Sequence, residues 1–155
     1  MKKTVKTSEI LSVYQIVGNA KYGKMSDEDK IKVWKIARLL KPVAMKFEDD
    51  RRDAFENLKP EDCDFDNRLA KAQEYERLVK AKQPTIDVMT TAEYDAFIEV
   101  FKDYNKLVGE ALKELADKEV ELDFEPLSED AFGKLMASNE WSVAQAMEAG
   151  DFICN

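Results

Sequence analysis

The apolar positions of this chain fall mostly at helical spacing. Ile10, Leu11, Val13, Tyr14, Ile16 and Val17 mark a first helix, with Thr7 or Ser8 as its cap and Gly18-Asn19 loosening its end. Ser26-Asp27-Glu28-Asp29 opens the next, its acids placed where the positive end of a helix dipole favours them. A stripe then runs through Val33, Ala37, Leu40, Ala44, Phe47, Ala54 and Leu58, in a 4-3-4-3 spacing that Arg51 interrupts. Unbroken, this is a helix of about 30 residues, or ~45 Å. Pro42 lies inside it, removes one backbone donor and predicts a kink or a break.

Lys59-Pro60 closes that segment, and an acidic loop leads to a shorter helix with Leu69, Ala72, Tyr75, Leu78 and Val79 on its apolar side. Pro84 ends it, and Thr85-Ile86-Asp87-Val88-Met89 alternates like a strand. Thr90 and Glu93 form a capping box, with Met89 and Tyr94 at the staple positions. The helix they open carries Phe97, Phe101, Tyr104, Val108, Ala111 and Leu115. After it the period changes: Glu119-Val120-Glu121-Leu122-Asp123-Phe124-Glu125 alternates strictly, as a half-buried strand stopped by Pro126. A strand needs a pairing partner, and residues 85–89 and 3–6 are the candidates. Ser128 then caps a short helix holding Phe132, Leu135 and Met136. Ser142 and Gln145 box another, with Val143, Ala146 and Met147, expected to end at Gly150. The fold class read from this pattern is mainly α, with a minor sheet. It consists of a long antiparallel helical hairpin or small bundle, a two- or three-stranded sheet and short C-terminal helices. Residues 1–118 are expected to form the hairpin with an N-terminal edge strand. Residues 119–155 add the acidic strand and short helices to the same core, for a single domain.

Composition narrows the chemistry. The 155 residues include no histidine, which removes imidazole bases, Ser-His and Cys-His nucleophile systems, and His-containing zinc sites. Cys63 and Cys154 are too few for a thiolate zinc site or a disulfide framework. No apolar run is long enough to span a membrane, and the start lacks the apolar core of a secretion signal, so a reduced cytoplasmic setting is expected. The net charge of -8 is uneven. Residues 1–118 carry 23 basic and 23 acidic side chains, whereas 119–155 carry nine acids against Lys134 alone. From Lys30 to Lys46 six cations stand without an acid.

Two surfaces follow as candidates for a partner. Lys35, Arg38 and Lys46 fall near one helix face with Trp34 beside them, suited to an acidic protein, including the C-terminal region of a neighbouring copy. Glu119, Glu121, Asp123 and Glu125 share one strand face at ~6.5–7 Å spacing, close to the phosphate separation along one DNA strand. The segment Asp62-Cys63-Asp64-Phe65-Asp66 resembles the opening of a calcium loop, but Asn67 stands where glycine is needed and Gln73 where a bidentate Glu is needed. Glu48 and Arg52 read as a surface ion pair. No catalytic, cofactor or metal residue is assigned, no cofactor is expected, and the acidic balance disfavours nucleic acid as partner.

Lys118-Glu119-Val120-Glu121-Leu122 running into Leu127-Ser128-Glu129-Asp130-Ala131-Phe132, after a strand, a helix and a charged helical hairpin, resembles small acidic uncharacterised proteins encoded by phages and prophages. The resemblance implies a phage accessory or virion-assembly context and no carried-over site. The expected function is a non-enzymatic interaction protein that oligomerises or docks a partner through the hairpin. The alternative is an acidic decoy that occupies a host nucleic-acid-binding enzyme. Neutralising the four strand acids would abolish the second activity and leave the first unchanged.

Overall fold

In a computed structural model that describes residues 1–61 and 64–154, the described residues form two short strands and six helices. In order these are β1 (Lys2–Lys6), α1 (Thr7–Gly18), α2 (Asp27–Asn57), α3 (Phe65–Lys80), α4 (Thr91–Asp117), β2 (Glu119–Asp123), α5 (Glu129–Ala137) and α6 (Val143–Ile153). The fold is mainly α with a minor two-stranded antiparallel sheet, as the periodicity predicts.

The helix starts follow the capping chemistry of the sequence. Ser26 Oγ accepts from the Asp29 N–H, Ser128 Oγ from Ala131 and Ser142 Oγ from Gln145. Thr90 and Glu93 close their box reciprocally at 2.9 and 3.1 Å. The start of α1 differs from expectation. Its cap position is Lys6, whose backbone N–H donates to Glu9 Oε2, while Thr7 turns inward. The Thr7 hydroxyl and backbone N–H both donate to the Lys118 carbonyl at 2.9 Å, tying the strand-to-helix junction to the start of β2. Thr7→Val keeps the shape and removes the hydroxyl bond, and should lower unfolding free energy by about 0.5–1.5 kcal/mol in a denaturant titration.

Pro42 neither breaks nor ends α2, which runs through it. It occupies the exposed side, as does Arg38, whose freed carbonyl can reach water. Nor does α6 stop at Gly150, which lacks the positive φ of a C-terminal glycine cap and lies against the Phe132 ring; the helix continues to Ile153. A Cβ there would meet that ring at 3.2 Å. Residues 85–89 form turns rather than a strand, with Thr85 O accepting from Val88 and Met89. Among the described residues the strand paired with β2 is β1, in register from Lys2 opposite Asp123 to Lys6 opposite Glu119.

The buried residues divide into two cores, and the chain into two compact units. One unit comprises residues 1–50 and 114–155, the other residues 51–113. In the first, Val5, Ile10, Val13, Val33, Ile36 and Leu40 pack with Leu122, Leu127, Leu135, Phe152 and Ile153. The sheet lies on this core with Val5 and Leu122 inward, and a backbone bond from Leu127 N–H to Ile153 O, 2.8 Å, ties the end of α6 beside it. In the second unit Phe65, Ala72, Met89, Phe97, Tyr104 and Val108 form the centre, with Phe55, Leu58 and Leu69 packed around them.

The buried stripes of the two long helices are shared between both cores: Leu40 and Val108 belong to different clusters. In the second unit α2 and α4 meet where the Tyr104 hydroxyl donates to the Phe55 carbonyl at 2.8 Å. The division between units falls at 50/51 and 113/114, inside both helices. Arg51, the residue that interrupts the apolar stripe, sits at that division and turns its guanidinium over the Phe55 ring. Residues 119–155 share their core with the N-terminal elements.

At the surface of the second unit Tyr94 stacks on Tyr75, centroids 4.3 Å apart, and its hydroxyl donates to Glu76 Oε1 at 2.6 Å. That carboxylate bond, followed by burial, holds the phenol neutral and pushes its pKa up to about 12. The contact therefore contributes stability below the ordinary phenol pKa of about 10 and loses it as pH rises through about 12. Phenolate absorbance should show Tyr94 among the last of the five tyrosines to ionise, and Glu76→Gln should move that step to lower pH.

Candidate functional site

Successive residues on a helix turn by about 100°, so Val33, Ile36, Leu40 and Ala44 face the core while Ile31, Trp34, Arg38 and Met45 lie on the opposite side of α2. These last residues form an outward apolar stripe: Ile31 is 53% exposed, Trp34 52% and Met45 56%. The Arg38 guanidinium lies over the Trp34 ring, 5.1 Å from its centroid. Exposed Lys35 and Lys41 flank the stripe. Such an indole, half in water, makes a flat apolar surface edged by cations. Chemically, it fits an acidic protein surface that also offers apolar side chains.

Lys46 does not join Lys35 and Arg38. It lies about three turns beyond Lys35, pairs with Asp50 at 2.8 Å, and borders a pocket of about 300 Å³. Val43, Phe47, Leu115 and Val120 give that pocket its apolar wall, with Thr7 and Lys118 at its edge. The sequence does not announce it, since its wall is assembled from three distant segments whose apolar residues each read as core. The one visible part of the signal is Phe47, a large stripe residue that stays only half-buried.

The acidic row of β2 is present but not alone. Glu119, Glu121 and Asp123 point to solvent, and in register across the ladder stand Lys6, Thr4 and Lys2. Asp123 also lies 3.5 Å from the N-terminal amine. Glu125 bonds Lys32 at 3.1 Å, a contact that raises the Lys32 pKa above its usual value. Lys32 is a member of the cationic run, so part of the expected attraction between basic and acidic regions is satisfied within one chain. Opposite charges directly across a ladder attract. The row is consequently a mixed surface rather than a one-sign imitation of a phosphate backbone.

The remaining candidates carry less. The calcium-like reading falls on Asp62 and Cys63, which lie outside the described residues, as does the question of Cys63 reactivity. Among the described residues no group of three or more metal-ligating side chains comes together, and no helix is long and apolar enough to cross a membrane. Cys154 is partly buried, and its thiol is pushed up first by burial and then by the carboxylates of Glu129 and Asp151. At neutral pH it is a protonated, poorly nucleophilic thiol. No protein-family model, curated protein or solved structure matches the chain. The functional reading therefore rests on the geometry of these surfaces.

Proposed function

We propose that this chain is a non-enzymatic interaction protein that docks a protein partner through the outer face of α2. The observation that carries the reading is Trp34, held half-exposed beneath Arg38 in an apolar stripe bordered by cations. Leaving an indole in water forgoes the burial that stabilises folds, roughly 25 cal/mol per Å² of apolar area. Tryptophan and arginine are among the side chains enriched at the energetic centres of protein interfaces. The outer face is preferred to the hairpin seam because Leu40 and Val108 on the inner stripes are already buried. The phage accessory or assembly setting follows from the resemblance of the sequence and is part of the proposal. The decoy reading gains no support from the sheet, where lysines face the acids.

A photo-crosslinking residue placed at Trp34 or Met45, with a control at exposed Leu107 on α4, tests this in the native host. A discrete protein adduct at the first two positions and not at the third is expected. Adducts absent from positions 34 and 45, or identical at all three, would overturn the proposal.

A further inference from the structure

A groove of about 550 Å³ opens between α5 and α6 in the first unit. Phe132, Gly133 and Gly150 form its floor, Met136 its apolar edge, and Glu129 and Asp151 its acidic rim. The two glycines differ in what requires them. Gly150 is explained inside the chain, by the Phe132 ring against it. Gly133 is not: it sits in the middle of α5, where alanine favours the helix, and nothing lies within 4 Å of where its Cβ would be. A bare stretch of helix backbone on the floor of an acidic groove leaves room for a side chain from outside.

We infer that this groove receives the Trp34–Arg38 face of α2 from a second copy of the chain. The inference rests on the reading of that face as the docking surface, and names its occupant. Charge and shape both match. The groove offers Glu129 and Asp151 to a face bearing Lys35, Arg38 and Lys41. Met136, 43% exposed, and Met147, 62% exposed on the adjoining face of α6, offer thioethers to an indole, a favourable contact in which the flexible side chain adapts to the ring. The neighbouring Lys3, whose Nζ donates to the Asp151 carbonyl at 2.9 Å, engages the backbone and not the carboxylate. The carboxylates also act on Cys154 at the groove's end, pushing its thiol up after burial has done so, in keeping with a negative field there. Because face and groove are different patches, the contact is heterologous. It repeats into rings or filaments unless a two-fold axis closes both contacts at once.

Sedimentation velocity of the full chain tests this. Wild-type protein should shift to larger species as concentration rises. Gly133→Leu puts a side chain into the groove at a position where its Cβ meets nothing within 4 Å, and should leave a monomer whose melting temperature is undiminished. Arg38→Glu and the double change Glu129→Arg, Asp151→Arg should each give monomers alone. Mixed together they should associate again as pairs, since the unchanged face of the groove variant meets the unchanged groove of the Arg38→Glu protein; a mere folding defect is not repaired by mixing. A wild-type monomer at every concentration, or a mixture that stays monomeric, would sink the inference. If the crosslinker at position 34 still captured a different protein in that event, the docking face would survive and only its occupant would change.

Discussion

Replacing Phe97 by alanine should lower the unfolding free energy by about 3–5 kcal/mol. Phe97 is fully buried, and its ring lies 5.6 Å from that of Phe65 and 6.1 Å from that of Phe101, with Arg68 over its face. Removing it takes away apolar burial and leaves a cavity that neighbours fixed on two helices fill only in part. A urea titration gives the magnitude. Native-state hydrogen exchange gives the location: protection should fall in α3 and in the first turns of α4, while the amides of β1, α1 and α6 keep theirs. Equal loss of protection throughout would mean that the two cores behave as one.

Leu40→Ala is the reciprocal experiment. Leu40 has no exposed surface and packs with Val5, Ile10, Leu122 and Ile153 in the other core. A cost of about 2–5 kcal/mol is expected, with protection lost in β1, α1, β2 and α6 rather than in α3. A single seam between the two long helices would give both variants one and the same exchange pattern. Two distinct patterns are what separate clusters around Leu40 and Val108 require.

The helices themselves are legible in the sequence because their signals are local. Thr90 with Glu93, Ser142 with Gln145, and Ser128 ahead of an acidic turn each satisfy backbone donors within three residues, and all three caps are present. The strand at 119–123 is equally plain, since alternation with period two lines up one apolar face on a strand and none on a helix. Its acids fall on the solvent face for the same reason. Where the pattern misleads, a local rule meets a non-local competitor. Thr7 is a good cap by type, yet the Lys118 carbonyl, 111 residues away in sequence, takes its hydroxyl. Thr85–Met89 alternates as a strand, yet the backbone closes turns on Thr85 while Met89 enters the second core.

The candidate surface is half legible. Charge and spacing single out Trp34, Lys35 and Arg38, which do share the outer face of α2. The same criteria add Lys46 to the group, because a helical wheel carries no information about what stands three turns along, and there Asp50 and the pocket claim it. The lysines opposite Glu119 and Asp123 are in plain view at the other end of the chain, but only the strand register brings them face to face.

The sequence by itself determined which segments are helical, where several of them start, and which side of each is apolar, because hydrogen-bond capping and side-chain periodicity act over a few residues. What only the tertiary structure decided is how those apolar sides are shared. A 4-3 stripe specifies that a helix buries one face, not what it buries it against. The stripe of α2 is divided between two cores, and Arg51 marks where it changes partner.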